Sequence, residues 1–216
     1  MARTRPSHVA SRRRPAAGGV HQFLIILGGT DPLVWRRIQV DESYSLWDLH
    51  VALQDAMGWL DYHLHEFRVV ADAKTGRITR FGIPVEEFDN QPSLQPDWTV
   101  RVSDVVGKGD MPILYTYDFG DDWRHVIVHE GGAQRDREAR YPRCVGGASR
   151  CPPEDCGGVQ GYEDFLEAVR DPTHERHAEL LDWVGGSFDP NEFNPRNVVF
   201  DDPKKRWTKA FKESQR

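Results

Sequence analysis

"YTYDFGDDWRHVIVHE", residues 115–130, decides the fold class. Leu114, Thr116 and Asp118 fall on one side and Tyr115, Tyr117 and Phe119 on the other, the two-residue period of a strand. Gly120-Asp121-Asp122 supplies turn chemistry, after which Trp123, His125, Ile127 and His129 alternate with Arg124, Val126, Val128 and Glu130. The stretch predicts a β-hairpin packed by cross-strand aromatics, and therefore an antiparallel sheet.

Working upstream, 21–27 ("HQFLIIL") and 33–40 ("LVWRRIQV") predict two more strands around a Gly-Gly-Thr-Asp-Pro turn. In the second, Val34, Arg36, Ile38 and Val40 share a face. A helix follows: Ser45 as cap, Asp48 in the first turn, Leu46, Leu49, His50, Leu53, Ala56 and Met57 at helical spacing, and Gly58 as stop. His50 on that apolar face reads as a core histidine bonded to backbone. Strands are expected at 63–70 and 76–83, a long proline-containing loop at 84–100 and a short strand at "VRVSDVV".

Downstream, 144–161 reads as a Gly/Pro/Cys loop. Tyr162, Phe165, Leu166 and Val169 then form one helical face. Thr173 is a candidate cap for a second helix with Leu180, Leu181 and Val184 on its face. Asp189, Pro190 and Glu192 predict a capped helical turn, with Phe188 stapled onto Phe193. The fold class is α+β: a mainly antiparallel sheet with one early amphipathic helix and short C-terminal helices, in a single domain.

Charge divides the chain. Residues 1–19 carry five arginines and no acid, and 204–216 carry six basic residues and one acid. What remains, 20–203, holds 17 basic and 33 acidic residues, a net of −16. The expected organisation is a disordered basic leader (1–19), one domain (20–203) and a solvated basic tail (204–216). An acidic body repels phosphate backbones, so nucleic acid would be touched only weakly, through the tails, and the partner is expected to be another protein. No apolar run approaches the ~20 residues of a membrane span. "FLIIL" after Arg12-Arg13-Arg14 is too short for a signal core, and three cysteines without an export signal indicate reduced thiols in the cytoplasm.

Three groups of side chains carry possible chemistry. At the hairpin end Asp118, Asp121, Asp122 and His125, with Glu130 further along, are the candidate acid–base groups or metal ligands; turn aspartates also cap their own backbone, which accounts for them structurally. His63 and His65, two apart on an expected strand, would face one side as chelators, with Tyr117 and Trp123 as further binding candidates. Cys144, Cys151 and Cys156, spaced C-x6-C-x4-C, would hold zinc with His125, or alternatively His129, as a fourth ligand; three small buried thiols lining a tight loop need no metal. "DFG" (118–120) matches the kinase metal triplet, but the glycine-rich loop, strand lysine and H-R-D loop are missing.

Five strings taken in order, "PLVWRRIQV" (32–40), "LWDLHVALQDAMGW" (46–59), "HLHEF" (63–67), "YTYDFGDDWRHVIVHE" (115–130) and "CPPEDCGGVQGYEDFLEA" (151–168), resemble the plasmid pRiA4b ORF-3-like family, also labelled insertion-element passenger TnpR. The resemblance spans about 20–200 and implies a plasmid or transposon context. A resolvase does not fit: the late helices carry Glu163, Asp164, Glu167 and Asp171 where a recognition helix carries Arg and Lys. The leading expectation is a non-catalytic binding or accessory protein rather than an enzyme; the alternatives are a metal-dependent hydrolase or nuclease at the Asp/His hairpin end and a DNA-binding recombination accessory factor.

Overall fold

The computed structural model describes residues 19–72, 74–84, 94–107 and 111–213. Most of the expected leader, residues 85–93 of the long loop and the last three residues lie outside them. Among the described residues eight strands form one sheet: β1 (Gly19–Leu27), β2 (Trp35–Asp41), β3 (His65–Asp72), β4 (Arg77–Gly82), β5 (Gln95–Pro96), β6 (Ile113–Tyr117), β7 (Trp123–Gln134) and β8 (Arg143–Ala148). Their order is β5-β4-β3-β6-β7-β1-β2-β8, and each pairing is antiparallel except the two-residue β4–β5 contact. The hairpin sits at the centre, with Tyr115 opposite His125 and Tyr117 opposite Trp123.

Alternation fixes which side is covered. Phe23, Ile25, Leu27, Ile38, Val40, Phe67, Tyr115, Tyr117, Trp123 and Ile127 are buried, and they form one core with the helix α1 (Leu46–Met57). That helix starts as expected: Ser45 accepts from the Asp48 amide while Asp48 accepts from the Ser45 amide, and Gly58 closes it in the left-handed conformation. Ten of its twelve residues are buried, more than an amphipathic helix with one core face would show. Its outer side is covered by α5 (Pro203–Thr208), where the Trp47 indole donates to the Pro203 carbonyl. The expected solvated tail is therefore helical over Pro203–Glu213, with Trp207 and Phe211 packed on Trp47. The architecture is α+β in one domain.

Arg36 shares its face with Val34, Ile38 and Val40 and is as buried as they are. Its guanidinium donates to the carbonyls of Ala56 (2.8 Å), Trp35 (2.9 Å) and Ala148 (2.8 Å) and lies over the Phe193 ring. It thereby caps the last turn of α1, where carbonyls lack partners of their own.

Several local expectations are corrected. "VRVSDVV" contains a helical turn, α2 (Val102–Val105): the buried valines 102 and 105 are three apart, which suits a helix rather than a strand. Cys144 lies on β8, paired with β2, so the cysteine loop proper starts later. The helix after it, α3 (Gly158–Arg170), begins four residues ahead of Tyr162. Thr173 caps no helix; it bonds to Asp171, and α4 (His177–Trp183) starts behind Arg176. Asp189 does accept from the Asn191 amide, but as a turn only. Phe188 packs edge-on against Phe165, while Phe193 goes under Arg36, so the staple does not form.

Candidate metal centre

The hairpin end, the segment before β3 and the cysteine loop meet at one point. At the end of β6, Asp118 adopts φ 54, with its amide bonded to the Leu64 carbonyl (3.0 Å) and its Oδ1 accepting from the Gly120 amide (2.8 Å). That leaves Oδ2 directed at His63, 3.6 Å from Nε2. Asp155, at φ 60 in the cysteine loop, brings Oδ1 to 2.7 Å from the same nitrogen. One ligand atom from each of His63, Asp118 and Asp155 lies within 4.8 Å of the others. Among the described residues no other group of three or more His, Cys, Asp or Glu side chains meets that spacing.

The surroundings hold these groups in place. Glu154 accepts from the Leu60 amide (2.7 Å) and from the Tyr117 hydroxyl, and Tyr117 accepts from the Tyr62 amide (3.0 Å). Burial first, and Glu154 second, push the Tyr117 phenol far above its ordinary range, so it stays protonated and donates. The Trp59 indole donates to the Pro152 carbonyl (3.0 Å) and Asp121 accepts from the Gly157 amide (3.1 Å). Gly158, at φ +69, lies so close to Asp121 that a Cβ would come within 2.4 Å of its carbonyl oxygen. Two non-glycine residues in the left-handed region at one site represent stored strain, of order 1–3 kcal/mol each. Asp118 is nearly buried, whereas the His63 and Asp155 side chains keep 32% and 60% of their surface, so the cluster opens to solvent on one side. Beyond Asp155 a cavity of about 540 Å³ runs between α3 and α4, lined by Cys156, Asp164, Phe165, Arg176 and Trp183 among others.

The sequence and fold place the chain among known relatives. The family model for the plasmid pRiA4b ORF-3-like protein matches residues 19–197. The chain belongs to that family. Within it, the chain is similar to the uncharacterized protein y4hQ of Sinorhizobium fredii, 38% identical over 196 residues that cover 88% of this chain and 95% of that one. A crystal structure of a protein of unknown function from Methanosarcina mazei Go1, MM3350, matches with a TM-score of 0.75 and 39% identity, over 84% of this chain and 98% of that one. Among the described residues no helix is long and apolar enough to cross a membrane.

In this family member the other candidates scatter. Asp122 pairs with Arg124 (2.5 Å), and Glu130, midway along β7, pairs with Arg37 (2.7 Å). His125 is sealed in the core beside Trp59 and Tyr115, its Nδ1 on the Trp123 carbonyl. Trp123 is buried in the same aromatic layer. His65 and His63 part company: His65 opens β3 and turns inward to Asp97 (2.7 Å), whereas His63 precedes the strand and faces the cluster. His50 bonds to side chains rather than backbone, with Nδ1 on the Tyr115 hydroxyl (2.8 Å) and Nε2 on Asp61 (2.9 Å). The structure does not gather Cys144, Cys151, Cys156 and His125. All three thiols are held protonated by burial, that of Cys156 pushed up to about 12. The residue missed from sequence is Asp155; the adjacent acids of "CPPEDC" were its only signal.

Proposed function

We propose that this pRiA4b ORF-3-like protein binds a divalent cation through His63, Asp118 and Asp155 and acts as a metal-dependent hydrolase. The reading is carried by one observation, the convergence of an imidazole nitrogen and two carboxylates from three remote segments with their ligand atoms within 4.8 Å. An imidazole nitrogen with two carboxylates suits zinc or manganese, and three protein ligands leave room for solvent. A cation there would polarise a bound water near neutral pH. The chain's own contribution is to fix Asp118 by its turn, to present Asp155 on a loop pinned by Glu154 and Asp121, and to offer the adjoining cavity for substrate. The test is metal content per chain on tag-free protein purified without chelator, with titration of zinc and manganese into apo-protein. About one tightly bound ion, lost in Asp118→Asn with the fold intact, supports the reading and justifies screening ester and phosphoester hydrolysis. Equal weak binding by both proteins rejects it.

A second reading, a non-catalytic accessory protein that engages a protein partner, is favoured by the net charge of −16 in residues 20–203 and by the structural roles of Asp121, Asp122 and Glu130. Under it, Asp118→Asn leaves function intact.

A further inference from the structure

The family match ends at residue 197, yet the segment after it is docked in a specific way. Asp202 caps α5 by accepting from the Lys204 amide (2.9 Å), and Pro203 occupies its first turn. Arg206 is largely covered. Its Nη2 donates to Asp55 (2.7 Å) and Asp201 (2.5 Å), and its Nη1 is 3.7 Å from Asp61. Trp207 stands edge-on to Trp47 (ring centroids 5.2 Å apart) and to Trp98 (4.8 Å), and Phe211 packs on Trp47 (5.7 Å) and Trp207 (4.1 Å). Trp47 comes from α1 and Trp98 from the turn Asp97–Thr99. The body thus presents a groove with tryptophan walls and two carboxylates that, without the segment, would lack their guanidinium partner. An arginine with aromatics one and five residues later fills it, and the segment lies there as an amphipathic helix lies in a recognition groove.

We propose that this face of α1 is a peptide-recognition groove for short amphipathic helices of the pattern Arg-Trp-x3-Phe, and that residues 202–213 are its resident, displaceable ligand. The partner it fits is a protein carrying that basic–aromatic helix. The carboxylates Asp55 and Asp61 take the arginine, and the tryptophan walls take the two rings.

The probe is a fluorescently labelled synthetic peptide of residues 200–216, titrated into the full chain. Wild-type protein, its groove filled in cis, should bind it at least tenfold more weakly than Trp207→Ala protein, whose own segment is loosened. A peptide carrying Arg206→Glu should lose at least tenfold on the same Trp207→Ala protein. Phe211→Ala protein serves as the second acceptor should Trp207→Ala fail to fold, as judged by circular dichroism. Equal binding to wild type and to folded variants, no binding to folded variants, or indifference to Arg206→Glu overturns the proposal.

Discussion

The imidazoles of His50 and His65 lie face to face, centroids 3.5 Å apart and planes within 9°, in the fully buried interior. The Tyr115 hydroxyl accepts from Gln54 and lies 2.8 Å from His50 Nδ1, while His50 Nε2 lies 2.9 Å from Asp61 Oδ1. His65 directs Nε2 at Asp97. Burial, and after it the neighbouring His50, depress the His65 pKa to about 4. His65 therefore stays neutral at neutral pH, because a cation in this buried position is poorly solvated.

Acid should therefore destabilise the protein earlier than its carboxylates alone would. His65 and His125 both fall from 6.5 to about 4 on folding, in each case chiefly by burial. The unfolded chain then binds more protons than the native one between these values, so stability declines as pH falls from about 6.5 toward 4, by on the order of 3 kcal/mol per histidine. Urea unfolding across that range checks this, and His125→Leu should flatten the slope.

Asp118→Asn should keep the turn and lose the cation. Asparagine can accept from the Gly120 amide and tolerates φ 54, so the melting temperature should move little. Removing one charged ligand should weaken divalent binding at least tenfold by calorimetry. Asp118→Ala loses the turn contact as well and should cost about 1–2 kcal/mol.

Gly158→Ala measures how tightly the cysteine loop is pressed to the hairpin. It combines a left-handed φ with a 2.4 Å approach to the Asp121 carbonyl, and should lose about 2–4 kcal/mol. Gly76→Ala is the control, since it has nearly the same φ, +68, with nothing within 4 Å, and should cost only about 1 kcal/mol. Thermal unfolding of the pair isolates the contact. The first variant should also bind metal more weakly, because Asp155 rides on that loop.

Arg36→Met should be worse than its apolar surroundings suggest. The thioether fills space but leaves the carbonyls of Ala56, Trp35 and Ala148 without their shared donor, at a cost of about 2–4 kcal/mol. Arg36→Lys should fall between, because an ammonium lacks the planar fork that reaches all three. Denaturant midpoints order the three proteins.

What could be read in advance was what depends on local period and caps. Alternation through Tyr115–Tyr117 and Trp123–Ile127 predicts the hairpin, and Ser45 and Asp48 predict where α1 starts. The cluster was only half legible. The hairpin end carried visible acids, but His63 and Asp155 are 92 residues apart, and nothing local pairs them. His125 and Glu130 looked equivalent to Asp118 in sequence. Strand parity sends His125 into the core, and Arg37 on β2, brought within reach across β1 only when the sheet forms, claims Glu130. The docking of α5 was hidden for a related reason: six basic residues imply solvation, and only the tertiary position of Asp55 and Asp61 gives Arg206 a reason to be covered.

The short connection from α1 to β3 touches both the α1 groove and the His63 cluster. Its Asp61 faces Arg206 and its His63 faces Asp118 and Asp155; the Tyr62 amide between them is held by Tyr117 and the preceding Leu60 amide by Glu154. Only two peptide units separate Asp61 from His63, so a displacement of one would be felt by the other. Thermodynamic linkage makes that traffic reciprocal: whatever factor a peptide in the α1 groove applies to cation affinity, the cation applies to peptide affinity.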